Sequence, residues 1–195
     1  MRCYLSPSLL LVSAAALDAQ SWSELQPSRR CGHALAYDVS RDRTVMFGGN
    51  GTPTWCLGDT WELDGSRWLQ VHTAVAPPAR IGHALAHDIG RGRTLLFGGY
   101  SSTSVLLADT WEFDGANWAQ ITTAVSPAPR SSHALAYDLP RGRTVLFGGA
   151  SPTLWLADTW EFDGTNWTQV TTAVSPPPRC GHALTPADSP RGRIS

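Results

Sequence analysis

At 195 residues, with a formal net charge of -1 and 16% charged side chains, the chain suits one domain and is too neutral to point to nucleic acid or an anionic membrane. Its 18 glycines, 14 prolines and 9 tryptophans imply many corners and many buried rings, the composition of an all-β protein. Beyond the first twenty positions no apolar run reaches the roughly 18 residues that a membrane-spanning helix needs.

In chain order, Met1-Arg2, the apolar stretch Leu9–Leu17 and the small residues around it read as a secretory signal peptide, residues 1–19, cut after Ala19 or Ala16. The expected location is therefore secreted or periplasmic, with no membrane attachment after cleavage. Removal leaves Cys31, Cys56 and Cys180, an odd number, so at least one thiol stays unpaired within the molecule. No CxxC pair and no zinc-finger spacing of Cys and His occurs.

From residue 20 onward one sentence is written repeatedly. The interval is 50 residues from His33 to His83 and from His83 to His133, and 49 from His133 to His182. A fixed period of this size marks a repeat architecture. Each unit opens with His-Ala-Leu-Ala, where alternate alanines (Ala34 and Ala36, Ala84 and Ala86, Ala134 and Ala136) suit a first strand crowded by neighbours. A polar turn follows, best formed as Arg91-Gly92-Arg93 and Arg141-Gly142-Arg143. The second strand (Thr44–Phe47, Thr94–Phe97, Thr144–Phe147) is apolar without alternation, as a strand buried on both faces should be. Gly-Gly ends it, where a side chain would obstruct a bend or a close backbone approach.

A loop of variable content comes next, then a third strand, Asp-Thr-Trp-Glu-(Leu/Phe), that begins at Asp59, Asp109 and Asp158. Asp114-Gly115 and Asp163-Gly164 turn the chain into a fourth strand starting at Trp118 and Trp167, with Trp68 the counterpart in the first unit. Prolines such as Pro127 and Pro129 then stop pairing. Four short antiparallel strands cannot bury their own faces; sheets stacked around an axis can. An aromatic burying 150–250 Å² contributes at most about 4–6 kcal/mol, so the tryptophans are read as glue between sheets. Ser21–Leu25, with Trp22, matches the end of a unit, and His182 opens a fourth unit that breaks off after Leu184.

The apolar strand ending in Gly48-Gly49, Gly98-Gly99 and Gly148-Gly149, the aromatic strand after it, and the tryptophan past its hairpin resemble Kelch repeats. Leu63 departs from the aromatic at Phe113 and Phe162. The resemblance implies a Kelch-type β-propeller over residues 20–195, with three complete four-stranded blades (31–72, 81–122, 131–171) and partial strands of a further blade (180–195). It also implies a partial or truncated propeller, and an open arc of blades would invite self-association.

For function, the resemblance implies a non-catalytic recognition scaffold whose loop face binds a protein or glycan partner. The connections leading into first strands carry Arg30, Arg80, Arg130 and Arg179, and the second-to-third strand loops carry Trp55, Tyr100 and Trp155. Guanidinium groups among aromatics would suit carboxylates or sugar hydroxyls; the competing explanation is that each arginine pairs with a neighbouring Asp or carbonyl and fixes the blades. Cys31 and Cys56 fall on the same face of one unit, where a disulfide between them would leave Cys180 unpaired. The repeated histidines spread around an axis are read as hydrogen-bonding to the adjacent blade, not as metal ligands, and Asp59, Asp109 and Asp158 as holding loop amides. No cofactor is expected. The alternative is a fragment of a propeller enzyme, galactose-oxidase-like or sialic-acid-processing, but near-identical units argue against a site that must be asymmetric.

Overall fold

The computed structural model of the chain describes residues 26–52 and 54–185. The expected signal peptide and the strand around Trp22 lie outside the described residues. Every regular element among those described is a strand. The first sheet holds β1 (Arg30–Cys31), β2 (Ala34–Asp38), β3 (Arg43–Gly51), β4 (Leu57–Leu63) and β5 (Trp68–Val71). The second holds β6 (Arg80–Ile81), β7 (Ala84–Asp88), β8 (Arg93–Ser101), β9 (Leu106–Phe113) and β10 (Trp118–Ile121). The third holds β11 (Ala134–Asp138), β12 (Arg143–Ala150), β13 (Trp155–Phe162) and β14 (Trp167–Val170).

Each sheet is an antiparallel meander of four strands. The two-residue β1 and β6 pair with the far ends of β3 and β8, and a single bridge, Ser131 with Ala150, does the same in the third. The inner strands β2, β7 and β11 lie side by side, so the three sheets are consecutive blades of a partial propeller. The expected burial of the second strand is found: Val45, Phe47, Thr94, Leu95, Leu96, Phe97, Thr144 and Leu146 exclude solvent altogether or nearly so. The small first strands are found too, with Ala84, Ala86, Ala134 and Ala136 buried.

The core is organised by junction rather than by blade. One buried cluster joins Val45 and Phe47 of blade 1 to Leu85, Leu96, Trp111, Phe113 and Trp118 of blade 2. A second joins Leu95 and Phe97 of blade 2 to Leu135, Leu146, Trp160, Phe162 and Trp167 of blade 3. The indole of Trp118 meets Phe47 edge-on at 5.3 Å between centroids, and that of Trp167 meets Phe97 at 5.1 Å. Aromatic pairs of this geometry add about 0.5–1.5 kcal/mol beyond their burial.

Gly-Gly has two physical reasons. Gly48 and Gly49 sit at φ 60° and 104°, with the same pair of values close by in the other two blades, and the register of β3 on β4 shifts there. A Cβ on Gly48 would also fall 2.8 Å from the Arg80 carbonyl of the next blade, and one on Gly98 2.8 Å from that of Arg130. So the glycine that bends each strand also lets the next blade in.

A line of backbone hydrogen bonds crosses the blades as well. Gly82 N–H donates to Gly32 O at 2.9 Å, Ser132 N–H to Gly82 O at 2.7 Å, and Gly181 N–H to Ser132 O at 2.8 Å. All four residues are left-handed, Ser132 included, at φ 55° to 67°.

Candidate functional site

The arginines that lead into first strands turn inward. Arg80 is fully buried; its Nη1 and Nη2 donate to the two oxygens of Asp109 at 2.7 Å each, Nη1 also to Gly98 O, and Nε to Pro78 O. Arg130 makes the same set with Asp158, Gly148 O and Ala128 O, and Arg30 with Asp59, Gly48 O and Ser28 O. Each Asp in turn accepts the indole Nε1–H of the tryptophan two residues on: Trp61, Trp111 and Trp160. The planar guanidinium thus clamps first-strand lead, Gly-Gly bend and third strand of one blade. These carboxylates hold the arginine and the indole rather than the loop amides expected of them. Burial pushes the Asp109 carboxyl up, but the Arg80 hydrogen bonds and charge outweigh it and hold it below the usual carboxylate range. Arg179 differs: it is exposed, and among the described residues its guanidinium bonds only Pro177 O, at 3.1 Å.

Of the repeated histidines, His83 makes the hydrogen bond to the adjacent blade that the repetition implied. His83 is buried, its Nε2 lies 3.1 Å from Phe47 O of the preceding blade, and its ring stands edge-on to Phe47. His133 and His182 take the corresponding places over Phe97 and Phe147, at 5.5 Å and 5.4 Å between centroids. Burial, with the Arg80 and Arg130 charges close by, lowers His83 and His133 to about 3, so both are neutral, and the Nε2 of His83 carries the proton that it donates.

A second contact between blades was not read from the sequence. Arg41, in the turn after β2, pairs with Asp38 and Glu62 of its own blade and lies over the Phe113 ring of the next, 5.6 Å from the centroid. Arg91 repeats this over Phe162. The signal available was the recurrence of that arginine at Arg41, Arg91 and Arg141.

The aromatics of the variable loops behave otherwise. Trp55 is 59% exposed and Trp155 61%. Trp55 and Tyr100 line one groove of about 330 Å³ with Gly32, Ile81, Gly82, Ser131 and Ser132, so loop residues and first-strand leads do share a face. Trp155 is not part of that groove; it pairs with Ala150 at the start of β13. Ile81 was not singled out in the sequence, yet it stands opposite Tyr100 in the β6–β8 register.

The disulfide between Cys31 and Cys56 is not formed. Cys31, Cys56 and Cys180 are free thiols. Cys31 is exposed on β1, whereas Cys56 is buried and turns its Sγ toward the Tyr100 carbonyl of the next blade, 4.0 Å away. Burial pushes the Cys56 thiol up. Among the described residues no three His, Cys, Asp or Glu side chains converge as a metal ion would require.

Residues 9–190 match the family model described as the KLHDC2/KLHL20/DRC7 Kelch-repeats domain. A search of curated proteins returned no match.

Proposed function

The chain belongs to the Kelch-repeat family, and from that premise we propose that it is an exported, non-catalytic scaffold that captures a protein partner in the groove between Trp55 and Tyr100. Kelch-repeat domains in general mediate protein–protein contact. The observation that carries the reading is the exposed indole of Trp55 facing a groove it shares with Tyr100 and Ile81. A large ring held in water over a partly apolar groove contributes to binding only when a partner covers it.

The chemistry favours an extended peptide that inserts an aliphatic or aromatic side chain beside Trp55. Free carboxylates are a poorer match, because the Arg30, Arg80 and Arg130 guanidiniums are already bonded to Asp59, Asp109 and Asp158. Export rests on the basic start and apolar stretch of residues 1–19.

A peptide array and a glycan array probed with the purified protein separate the two partner classes. Apolar peptides should bind, and Trp55→Ala or Tyr100→Ala should weaken that binding by at least about tenfold while Trp155→Ala leaves it within about twofold. Equal binding by Trp55→Ala and the parent would remove the groove from the account, and selective glycan binding would replace the peptide with a sugar.

A further inference from the structure

One serine stands where the repeats otherwise keep glycine. Gly32, Gly82, Ser132 and Gly181 hold the same place in successive units, and all four are left-handed, at φ 65°, 62°, 55° and 67°. That conformation crowds a Cβ against the backbone, and serine does not adopt it readily. The bonds between blades do not ask for a side chain here. Ser132 N–H donates to Gly82 O and Ser132 O accepts from Gly181 N–H, while Gly82 makes the same two kinds of bond as a glycine.

Asp42 shows what such strain ordinarily serves. It is left-handed at φ 53° where Gly92 and Gly142 stand in the other blades, and its carboxylate accepts the Tyr37 hydroxyl at 2.6 Å; among the described residues the Ser132 hydroxyl has no partner of that kind. A strained side chain that the fold does not use, kept at a surface groove, points to a ligand.

The groove is the one that Trp55 and Tyr100 share. Ser132 lines it together with Ser131, and its Oγ lies 3.5 Å from where a Cβ on Gly82 would stand. The groove therefore has two ends of different chemistry. Trp55, Ile81 and Tyr100 make an apolar end on blades 1 and 2, and the two serines make a hydroxyl end on blade 3. Blades joined by one backbone hydrogen bond are roughly 5 Å apart at that point, so side chains one or two residues apart on an extended peptide reach both ends. None of the described lining residues is charged, and Arg30, Arg80 and Arg130 are already paired with aspartates. A charged side chain would lose its water there without gaining a counter-charge. A carboxamide both donates and accepts, and so matches a hydroxyl that can do either.

We propose that Ser132 is the specificity-determining residue of this groove, its hydroxyl hydrogen-bonding an asparagine or glutamine side chain one or two residues from the apolar side chain beside Trp55. This selection rests on the peptide-binding function proposed above for the groove. A site built to hydrogen-bond its ligand rejects the analogue that lacks the group, because the polar atom in the site is then left unpaired.

Peptides with a leucine anchor, and asparagine scanned over the two positions on either side of it, are compared with the same peptides carrying alanine instead. The parent should prefer its best asparagine peptide by about tenfold or more, and Ser132→Gly and Ser132→Ala should each reduce that preference to within about twofold. Melting temperatures read the strain separately. Ser132→Gly should melt about 2–4 °C above the parent, whereas Ser132→Ala keeps its Cβ and should melt within about 1 °C of it. A parent without the preference, or a preference that survives both substitutions, would overturn the role of Ser132 and leave the groove in place. A lower melting temperature in Ser132→Gly would overturn it too, since the side chain would then be serving the fold. A parent that binds no peptide, or a Trp55→Ala variant that binds every peptide as the parent does, would remove the groove and the role of Ser132 with it.

Discussion

The indole Nε1–H of Trp167 donates to the Thr110 hydroxyl across 2.9 Å, a bond that leaves blade 3 and ends in blade 2. The same bond runs from Trp118 to Thr60. Both indoles are buried, so removing the acceptor strands a donor without water. Thr110→Val should lower stability by about 1–3 kcal/mol, and Trp167→Ala by about 3–5 kcal/mol. In a double-mutant cycle, denaturant unfolding of Thr110→Val, Trp167→Phe and the pair should return a coupling of about 1 kcal/mol. Additive effects would mean that the bond contributes nothing.

The arginine clamp predicts an asymmetry. Asp109→Asn leaves the fully buried Arg80 guanidinium without its counter-charge and should cost about 3 kcal/mol, because an unpaired buried charge is the expensive case. Arg67→Ala, at an exposed pair with Asp64, should change stability by less than about 1 kcal/mol. Chemical denaturation of the two variants checks both.

Acid should loosen the junctions before it titrates the carboxylates. His83 and His133 are held down to about 3 by burial and by the arginines beside them, against an ordinary 6.5. Below about pH 6.5 the unfolded chain binds protons that the folded chain does not, so stability is complete above that pH and falls as pH drops toward 3. The loss is about 1.4 kcal/mol per pH unit for each histidine. Asp59, Asp109 and Asp158 lie below their ordinary value and add to the loss only at the acid end of that window. Urea midpoints at pH 7 and pH 5 should differ clearly in the parent and less in His83→Gln. Equal midpoints would mean that the rings are already charged in the fold.

Two glycines with the same backbone separate strain from crowding. Gly92 and Gly98 lie at φ 61° and 62°, but a Cβ on Gly92 meets nothing within 4 Å while one on Gly98 would sit 2.8 Å from Arg130 O. Gly92→Ala should cost about 1 kcal/mol, the left-handed penalty alone. Gly98→Ala should lower stability by about 3 kcal/mol or more, because it also pushes blade 3 away. Thermal unfolding of the pair reads the difference.

Much of the fold was legible because its signals are local. The apolar run Thr94–Phe97, the Gly98-Gly99 bend and the Asp114-Gly115 hairpin each announce themselves within a few residues, and their repetition placed them in register. What joins one blade to the next was less legible. A repeat fixes the partners inside a unit, but Arg41 over Phe113 and Trp118 on Thr60 join positions in different units, and nothing in the spacing says which of them meet. The site divided the same way. The alternative in which each repeated arginine clamps an Asp is the one found for Arg30, Arg80 and Arg130. Trp55 and Tyr100 came together while Trp155 did not, since a groove between loops depends on their exact paths. Cys31 and Cys56 share a face, yet the direction of a side chain in an irregular loop is set by packing against the next blade.

Hydrogen exchange at the Gly82 and Ser132 amides tests most directly whether the blades are locked one to the next. Both residues are only partly buried, so their protection must come from the bonds to Gly32 O and Gly82 O. If the junctions hold as described, these two amides exchange only with global unfolding, as slowly as Leu95 and Leu96 in the core. Exchange at the rate of an exposed turn would contradict the account.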